Sequence, residues 1–260
     1  MNNGTMKNRP LQTRIIYGPV QSRRLGRSLG VNILPTQWKV CTFDCLYCQY
    51  GWTCCQWEDQ AGDQLGLPTP DEVAEALEAA LLQKGQVDAI TLAGNGEPTL
   101  HPRFGEIARL VATVRDSRAP GVPVVILSNS STLTSPEVRD AFRFIDRPVM
   151  KLDAGSASLF ASVNRPRSGI QYGHMVEALA ALERVEIQSL FFDGPVSNTG
   201  PKDIDLWLAA LERVHPVALQ VYSLDRTPAE SRLLQVSRER LEEIADAARN
   251  HLPGLRVDVF

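Results

Sequence analysis

The chain has 260 residues, of which 43% are hydrophobic and 22% charged, and its formal net charge is −3. This composition is typical of a folded globular protein and excludes a largely disordered chain. No apolar run approaches the roughly 20 residues that span a bilayer, and residues 1–10 lack the apolar segment of a secretory leader, so we expect a cytoplasmic protein without a membrane partner.

The first 40 residues carry seven basic residues and no acidic residue. Three interpretations of such a segment are an organelle transit peptide, a phosphate-binding edge of the fold, and a solvated segment that docks on the acidic remainder of the protein. A transit peptide is disfavoured, because the basic residues Arg23, Arg24 and Arg27 continue up to the first predicted strand. We predict a basic N-terminal extension over residues 1–27 and one α/β domain over residues 28–260.

Strand-like and helix-like segments alternate along the rest of the chain. The predicted strands are residues 29–34, 87–93, 122–127, 148–152, 187–192 and 217–222, with an additional edge strand at 255–260. The predicted helices are residues 70–84, 103–118, a segment that starts near 134, 170–184, 202–214 and 238–250. Six strand–helix units with nearly continuous apolar strands indicate a parallel sheet covered by helices, either a flat doubly wound sheet or an incomplete barrel.

Polar residues follow each predicted strand, at the end of a parallel sheet where ligands bind. They are residues 41–48, residues 94–97, Ser128 and Asn129, Asp153, Asp193, and Asp225 with Arg226. We expect all these groups on one face of the sheet. Lys151 lies inside an apolar strand, and a buried ammonium needs a partner, so we expect its side chain to point into the interior of a barrel.

All five cysteines lie within fifteen residues, at Cys41, Cys45, Cys48, Cys54 and Cys55. An odd number in one short segment argues against a disulfide framework and favours metal ligands. The C-x3-C-x2-C spacing of the first three suits a [4Fe–4S] cluster with one iron that has no protein ligand. The alternative is a closed four-cysteine zinc site with Cys54 or Cys55 as the fourth ligand, in a non-catalytic zinc- or cluster-binding regulatory protein.

The cysteine loop, with Tyr47 before its last cysteine, and the segment Gly94-Asn-Gly-Glu97-Pro98 together resemble the radical S-adenosylmethionine (radical SAM) superfamily. Residues 18–30, 93–100 and 149–154 are similar to the bacterial relatives of wyosine synthase, which modifies a guanosine of tRNA. The resemblance covers residues 15 to 241 and implies a partial (βα)6 TIM-like barrel. Wyosine synthases have a second set of cysteines upstream, whereas residues 1–40 contain none here.

The resemblance also implies an enzyme activity and its cofactors. In the superfamily a [4Fe–4S] cluster reductively cleaves S-adenosylmethionine, and the resulting 5′-deoxyadenosyl radical abstracts hydrogen from a substrate. A one-electron donor such as flavodoxin or ferredoxin is therefore an expected partner. The substrate is unidentified, and small molecules, nucleotides and tRNA are all candidates.

Site residues follow from the same motifs. The metal ligands would be Cys41, Cys45 and Cys48, and the cofactor-binding residues Tyr47, Gly94, Asn95, Gly96, Glu97, Ser128, Asn129, Lys151 and Asp153. Within this set the two glycines allow close approach to the methionine part, and Glu97 is the expected partner of the methionine ammonium. The alternative interpretations are an ordinary tight turn for the two glycines and a helix-end acid near Arg103 for Glu97. Candidate substrate residues are Arg23, Arg24, Arg165 and Arg226, because arginine binds anions through a bidentate fork.

Overall fold

The computed structural model describes residues 9–53 and 66–260, so Cys54 and Cys55 lie outside the described residues. The strands are β1 (Ile16–Ser22), β2 (Gly26–Val31), β3 (Ala89–Leu92), β4 (Val124–Ser128), β5 (Arg147–Lys151), β6 (Glu186–Asp193), β7 (Ala218–Ser223), β8 (Leu234–Gln235) and β9 (Arg256–Val259). The α-helices are α1 (Pro70–Lys84), α2 (Phe104–Arg118), α3 (Pro136–Ala141), α4 (Ala157–Val163), α5 (Tyr172–Ala180), α6 (Pro201–Val214) and α7 (Arg238–His251).

The strands form one sheet in the order β1-β2-β3-β4-β5-β6-β7-β9, and β8 adds to β6. Strands β2 to β7 and β9 run parallel, whereas β1 is antiparallel to β2. The sheet is curled, so that Arg24 in the turn between β1 and β2 reaches Gln188 on β6 and Gln220 on β7. This arrangement is a partial (βα)6 barrel, which confirms the fold class expected from the sequence.

The β1–β2 hairpin differs from the sequence-based prediction. The predicted strand at 29–34 begins at Gly26 and ends at Val31, and the predicted domain boundary after residue 27 therefore falls within β2. Residues 32–34 are buried but leave the sheet, because the Asn32 side chain donates to Leu34 O over 2.8 Å. β1 was not predicted, since its Gly and Pro residues are depleted in strands and tolerated mainly at sheet edges.

The helix predicted at 70–84 is present with the same bounds, because local signals define both ends. The Thr69 hydroxyl accepts from Glu72 N, and the Glu72 carboxylate accepts from Thr69 N over 2.7 Å, which is a capping box. Gly85 follows the helix with φ +67°. The helix predicted at 170–184 is shorter, at Tyr172–Ala180, and the seven-residue α4 before it was not predicted because it is too short to show a helical period.

The two faces of the sheet bury different residue types. The outer face packs against the helices through a large apolar core that includes Leu92, Ile126 and Trp207. Inward-facing residues alternate along β3 to β7 and become more polar towards β6 and β7, where Gln188 and Gln220 lie. None of the helices in the described ranges is long and apolar enough to cross a lipid bilayer.

Candidate functional site

A cavity of about 680 Å³ lies inside the half-barrel. One end is bounded by Cys41, Cys48 and Glu97, which follow β2 and β3 along the chain. The opposite end is bounded by Arg24 and Leu25 in the β1–β2 turn. The predicted site residues that line it are Tyr47, Gly94, Gly96, Ser128, Asn129, Lys151, Arg23 and Arg226, together with those already named.

The first part of the cysteine loop is held in place by backbone pairing with two other segments. Val40 forms a parallel bridge with Gly96, and Phe43 forms an antiparallel bridge with Pro166. Gly96 has φ +142°, and a Cβ there would lie 1.7 Å from Val40 O. Only glycine therefore allows the loop after β3 to pack against the cysteine loop.

Two of the three thiols of this loop lie near N–H donors. Cys41 Sγ is 3.5 Å from Phe43 N and from Asn129 Nδ2, and Cys45 Sγ is 3.5 Å from Asn164 Nδ2. Burial raises the pKa of Cys41 to about 12 and that of Cys45 to about 11. Iron binds thiolates, and N–H donors stabilise that form, so this donor set fits an iron–sulfur cluster.

Lys39 lies among the same thiols, and its side chain is 4% exposed. Its ammonium donates to Gly51 O over 2.9 Å, lies 3.9 Å from Asp44 Oδ1 and is close to the Cys48 thiol. In the part of the chain that the structure describes, no group of three or more His, Cys, Asp or Glu side chains is placed to hold a single metal ion. The predicted fourth zinc ligands, Cys54 and Cys55, lie outside that part.

Glu97 is 1% exposed and lines the cavity. One carboxylate oxygen accepts from Thr99 and from Ser128 Oγ, and the other accepts from Asn129 N over 2.5 Å. Burial raises the pKa of Glu97, and these hydrogen bonds partly offset the rise. The oxygen bonded to Asn129 N has one protein donor and retains capacity for another. Glu97 does not pair with Arg103.

The side chain of the turn residue between the two glycines contacts the N-terminal segment of the chain. Asn95 is fully buried and does not line the cavity. Its side chain accepts from Gln12 N over 2.7 Å and donates to Gln12 O and Pro35 O. Asn95 thus attaches the N-terminal segment to the barrel. A Cβ at Gly94 would meet Asn32 Oδ1 at 2.2 Å, so this glycine also serves close packing.

Lys151 lies on the inner face of β5 and forms a polar network. Its ammonium donates to Tyr222 Oη over 2.8 Å and to Asp153 Oδ1 over 3.1 Å. Burial lowers the pKa of Lys151, but Asp153 and Tyr222 more than offset this, so the pKa is above its ordinary value. Asp153 is buried and does not line the cavity; it also accepts from Tyr47 Oη and from Asn164 Nδ2.

The predicted arginines have separate environments. Arg23 is exposed and pairs with Asp225 over 3.2 Å at the cavity edge. Arg24 points into the cavity, where its Nη1 donates to Gln188 Oε1 over 2.7 Å. Arg165 does not line the cavity, and its guanidinium lies 5.1 Å from the ring centroid of Trp52.

Several residues of the site were not predicted from the sequence. Gln188 and Tyr222 lie at inward positions of β6 and β7, and a polar residue at alternate positions of an apolar strand was the available signal. Lys39, two residues before the first cysteine, has a similar signal as a basic residue in an apolar segment. Asn164 has no sequence signal, because it reaches Cys45 from 119 residues away.

The sequence matches the family model of the radical SAM superfamily over residues 38–199, which is more than half of the chain. One curated relative, UPF0026 protein slr1464 of Synechocystis, is 33% identical over 170 residues, 65% of this chain and 59% of its own length. A protein named GTPase Obg from Brachyspira hyodysenteriae is 29% identical over 236 residues, 90% of this chain and 33% of its own length. The chain thus spans between a third and 59% of these two relatives.

Solved structures share the fold. Streptococcus suis SuiB bound to S-adenosylmethionine aligns with a TM-score of 0.64 and 12% identity, over 89% of this chain and 50% of that one. TYW1 with a lysine-pyruvate adduct bound aligns with a TM-score of 0.59 and 15% identity, over 86% of this chain and 73% of that one. At these identities the likeness shows the fold alone.

Proposed function

The chain belongs to the radical SAM superfamily, and on this premise we propose that it is a radical SAM enzyme with Cys41, Cys45 and Cys48 as ligands of a [4Fe–4S] cluster. When bound, the cluster supplies one electron to S-adenosylmethionine, which breaks its S–C5′ bond to give methionine and a 5′-deoxyadenosyl radical that abstracts hydrogen from the substrate. The observation that carries the proposal is a loop of three half-buried cysteines, two of which, Cys41 and Cys48, line one end of the half-barrel cavity.

The chain's own residues support the ligand assignment. Asn129 and Asn164 come from two separate loops and direct amide N–H groups at Cys41 and Cys45. Such donors hold the thiolates in position and partly neutralise their charge. The backbone pairing of Val40 with Gly96 fixes the loop before the first cysteine.

Cofactor binding is assigned to polar groups next to this loop. Glu97 offers a buried carboxylate oxygen for the methionine ammonium, and Ser128 and Asn129 lie beside it. Lys151 and Tyr47 form part of the same cavity wall. Closure of the cavity around the ligands excludes water, which protects a reactive radical.

The substrate binds in the remaining volume of the cavity, and its identity among small molecules, nucleotides and tRNA is open to experiment. A small one-electron donor such as flavodoxin or ferredoxin would reduce the cluster. Near the cysteine loop, outside the cavity, there is an exposed cation–aromatic pair. It consists of Arg165 and Trp52.

Anaerobic reconstitution with iron and sulfide tests the proposal. We expect a brown protein with about four iron atoms per chain, which releases 5′-deoxyadenosine and methionine from S-adenosylmethionine when dithionite is added. Single replacement of Cys41, Cys45 or Cys48 by alanine should remove both colour and cleavage. Cys54→Ala and Cys55→Ala are the matched controls and should retain most of both.

Two results would contradict the proposal. A colourless protein that binds one zinc ion, and loses it in Cys54→Ala or Cys55→Ala, would indicate a closed four-cysteine site. Full iron loading in Cys45→Ala would show that the cysteine spacing does not identify the ligands.

A further inference from the structure

Arg24 lies at the end of the cavity opposite the cysteine loop. Its guanidinium carbon is 4.5 Å from the ring centroid of Tyr222, and its Nη1 donates to Gln188 Oε1 over 2.7 Å and to Gln220 Oε1 over 3.3 Å. The next residue, Leu25, is 8% exposed and anchors the turn in the barrel. The position of the guanidinium is therefore fixed by three separate contacts.

Within the described part of the chain, the Arg24 guanidinium has no carboxylate partner. Over residues 9–53 and 66–260, no carboxylate pairs with Arg24, and no acceptor bonds to its Nε or Nη2. The carboxylates nearest in the network are already paired, since Glu186 binds Arg147 and Asp153 binds Lys151. A half-buried cation without a carboxylate is unfavourable unless another anion supplies the charge.

The whole cavity shares this excess of positive charge. Among the described residues that line it, the basic side chains are Arg9, Arg23, Arg24, Lys151 and Arg226, and the side-chain carboxylates are Glu97 and Asp225. Lys151 is neutralised by Asp153, which does not line the cavity. Asp225 pairs with Arg23, and Glu97 is assigned to the cofactor ammonium. The charge of Arg24 is therefore left for a second ligand.

We propose that Arg24, with Gln188, Gln220 and Tyr222 holding it in place, forms a subsite for an anionic group of the substrate, either a carboxylate or a phosphate. The inference rests on the proposed function, because it assigns the remaining volume of the cofactor cavity to the substrate. The free edge of the guanidinium, Nε and Nη2, matches the two oxygens of either anion. The substrate, or the part of it that reaches Arg24, is small, because the cavity of about 680 Å³ also holds the cofactor.

Anion titration of the cluster-loaded protein tests the subsite. The protein is saturated with S-adenosylmethionine, without reductant, and titrated calorimetrically with inorganic phosphate or with acetate at constant ionic strength. We expect one site per chain for at least one probe. Binding of phosphate alone indicates a phosphate-bearing substrate, binding of acetate alone a carboxylate, and binding of both a site that accepts either.

Three variants locate the binding. Arg24→Gln should weaken it at least about tenfold, since a charged bidentate contact is lost. Arg27→Gln is the matched control, because Arg27 lies on the same hairpin but does not line the cavity, and it should bind as the unchanged protein does. Gln188→Glu places a carboxylate against Arg24 Nη1, so an internal ion pair should compete with the probe and weaken its binding by a similar factor. This third variant also tests the proposal if Arg24→Gln does not fold.

The proposal is overturned if neither probe binds, or if Arg27→Gln weakens binding as much as Arg24→Gln. It is also overturned if Arg24→Gln weakens S-adenosylmethionine binding and the probes bind only without the cofactor, because Arg24 would then hold the cofactor's carboxylate. A failure of reductive cleavage, measured separately with dithionite, would count against the proposed function alone, since the titration contains no reductant.

Discussion

At the scale of single residues, Gly96 connects the glycine turn to the cysteine loop. A Cβ at this position would collide with Val40 O, and φ +142° is unfavourable for any other residue. We expect Gly96→Ala to lower the free energy of unfolding by more than about 2 kcal/mol and to reduce iron loading. Gly121→Ala is the control, because Gly121 has φ +84° but nothing within 4 Å of the added Cβ.

The melting temperatures and iron contents of Gly96→Ala and Gly121→Ala measure the difference between the two variants. Gly121→Ala should show only the conformational cost, about 1 to 2 kcal/mol, with normal iron content. If Gly96→Ala is no worse than Gly121→Ala, the contact with Val40 does not constrain the cysteine loop.

Glu97 provides a second prediction at this scale. Glu97→Gln removes the charge and keeps an oxygen for Ser128 and Thr99, but its amide nitrogen does not accept from Asn129 N, so the melting temperature is measured to verify the fold. We expect S-adenosylmethionine to bind roughly ten- to a hundredfold more weakly, because a hydrogen bond to a charged group contributes about 1.5 to 3 kcal/mol. Equilibrium binding to the cluster-loaded protein measures the effect, and the exposed Glu137→Gln is its control. An unchanged dissociation constant would leave Glu97 with a structural role only.

Sequence analysis worked best for site residues that belong to short, contiguous motifs. The cysteine spacing and the Gly94–Glu97 turn were recognised because they are contiguous, whereas Asn164 was not, because only folding brings it to Cys45. Asn95 shows the opposite limit. It belongs to the motif, yet it binds Gln12 and Pro35 and lies outside the cavity lining, and no sequence pattern distinguishes these two uses of an amide.

At the scale of elements, the β1–β2 hairpin closes one end of the barrel. Leu25 in its turn packs against Ala89, Val125 and Val149, which lie on the inner face of β3, β4 and β5. We expect Leu25→Ala to lower the free energy of unfolding by about 2 to 4 kcal/mol, because it leaves a cavity in an apolar cluster. Thermal or urea unfolding measures the effect.

Leu82→Ala is the matched control for this variant, since Leu82 is 67% exposed. It should change the free energy of unfolding by less than about 0.5 kcal/mol. Equal effects of the two substitutions would mean that the hairpin turn packs loosely and does not close the barrel.

The helices and parallel strands were predictable from their own segments, but this hairpin was not. α1 has a capping box and a terminal glycine, so its bounds follow from local chemistry. β1 contains Gly18-Pro19, a pair more typical of turns than of strands, and its pairing with β2 depends on the rest of the sheet. Edge strands of this kind are specified mainly by the tertiary structure, which a single sequence does not reveal.

At the scale of the whole molecule, an ionic network connects four neighbouring strands. Glu186 on β6 binds Arg147 on β5 over 2.7 and 2.8 Å, accepts from Gln220 on β7 over 3.3 Å, and lies 3.9 Å from Arg256 on β9. Burial alone would raise the pKa of Glu186, but the hydrogen bonds and charges of Arg147, with Arg256, lower it below its ordinary value. The ionised form is therefore the one that stabilises the fold.

This network predicts a pH dependence of stability. A carboxyl with a lowered pKa contributes stability above its unfolded pKa of about 4.3, and the contribution is lost as the pH falls through the folded value. At pH 7 we expect Glu186→Gln to unfold at a temperature several degrees lower, for a loss of about 1 to 3 kcal/mol. The difference from the unchanged protein should shrink between pH 5 and acid pH. The exposed Glu183→Gln should show neither effect, and a difference that is constant with pH would contradict the assignment.

Sheet architecture was predictable in part. The run of apolar strands and helices specified a parallel α/β sheet, but periodicity alone did not separate a flat sheet from a barrel. Curvature depends on contacts such as that between Arg24 and Gln188, which are 164 residues apart. The resemblance to a known superfamily implied the barrel. The long-range contacts that accompany the curvature of the sheet are visible only in the folded structure.

The long-range hydrogen bonds to the cysteine loop bear on the order of folding. Asn129 and Asn164 are separated from the thiols they contact by 88 and 119 residues, so these donors arrive only after β4, β5 and α4 have assembled. Zinc fingers differ, because in them metal binding itself drives folding of a short chain. Here we expect cofactor insertion to be a late step in maturation. A chain still emerging from the ribosome would present all three thiols before the residues that orient them exist, and would depend on delayed delivery of iron and sulfide.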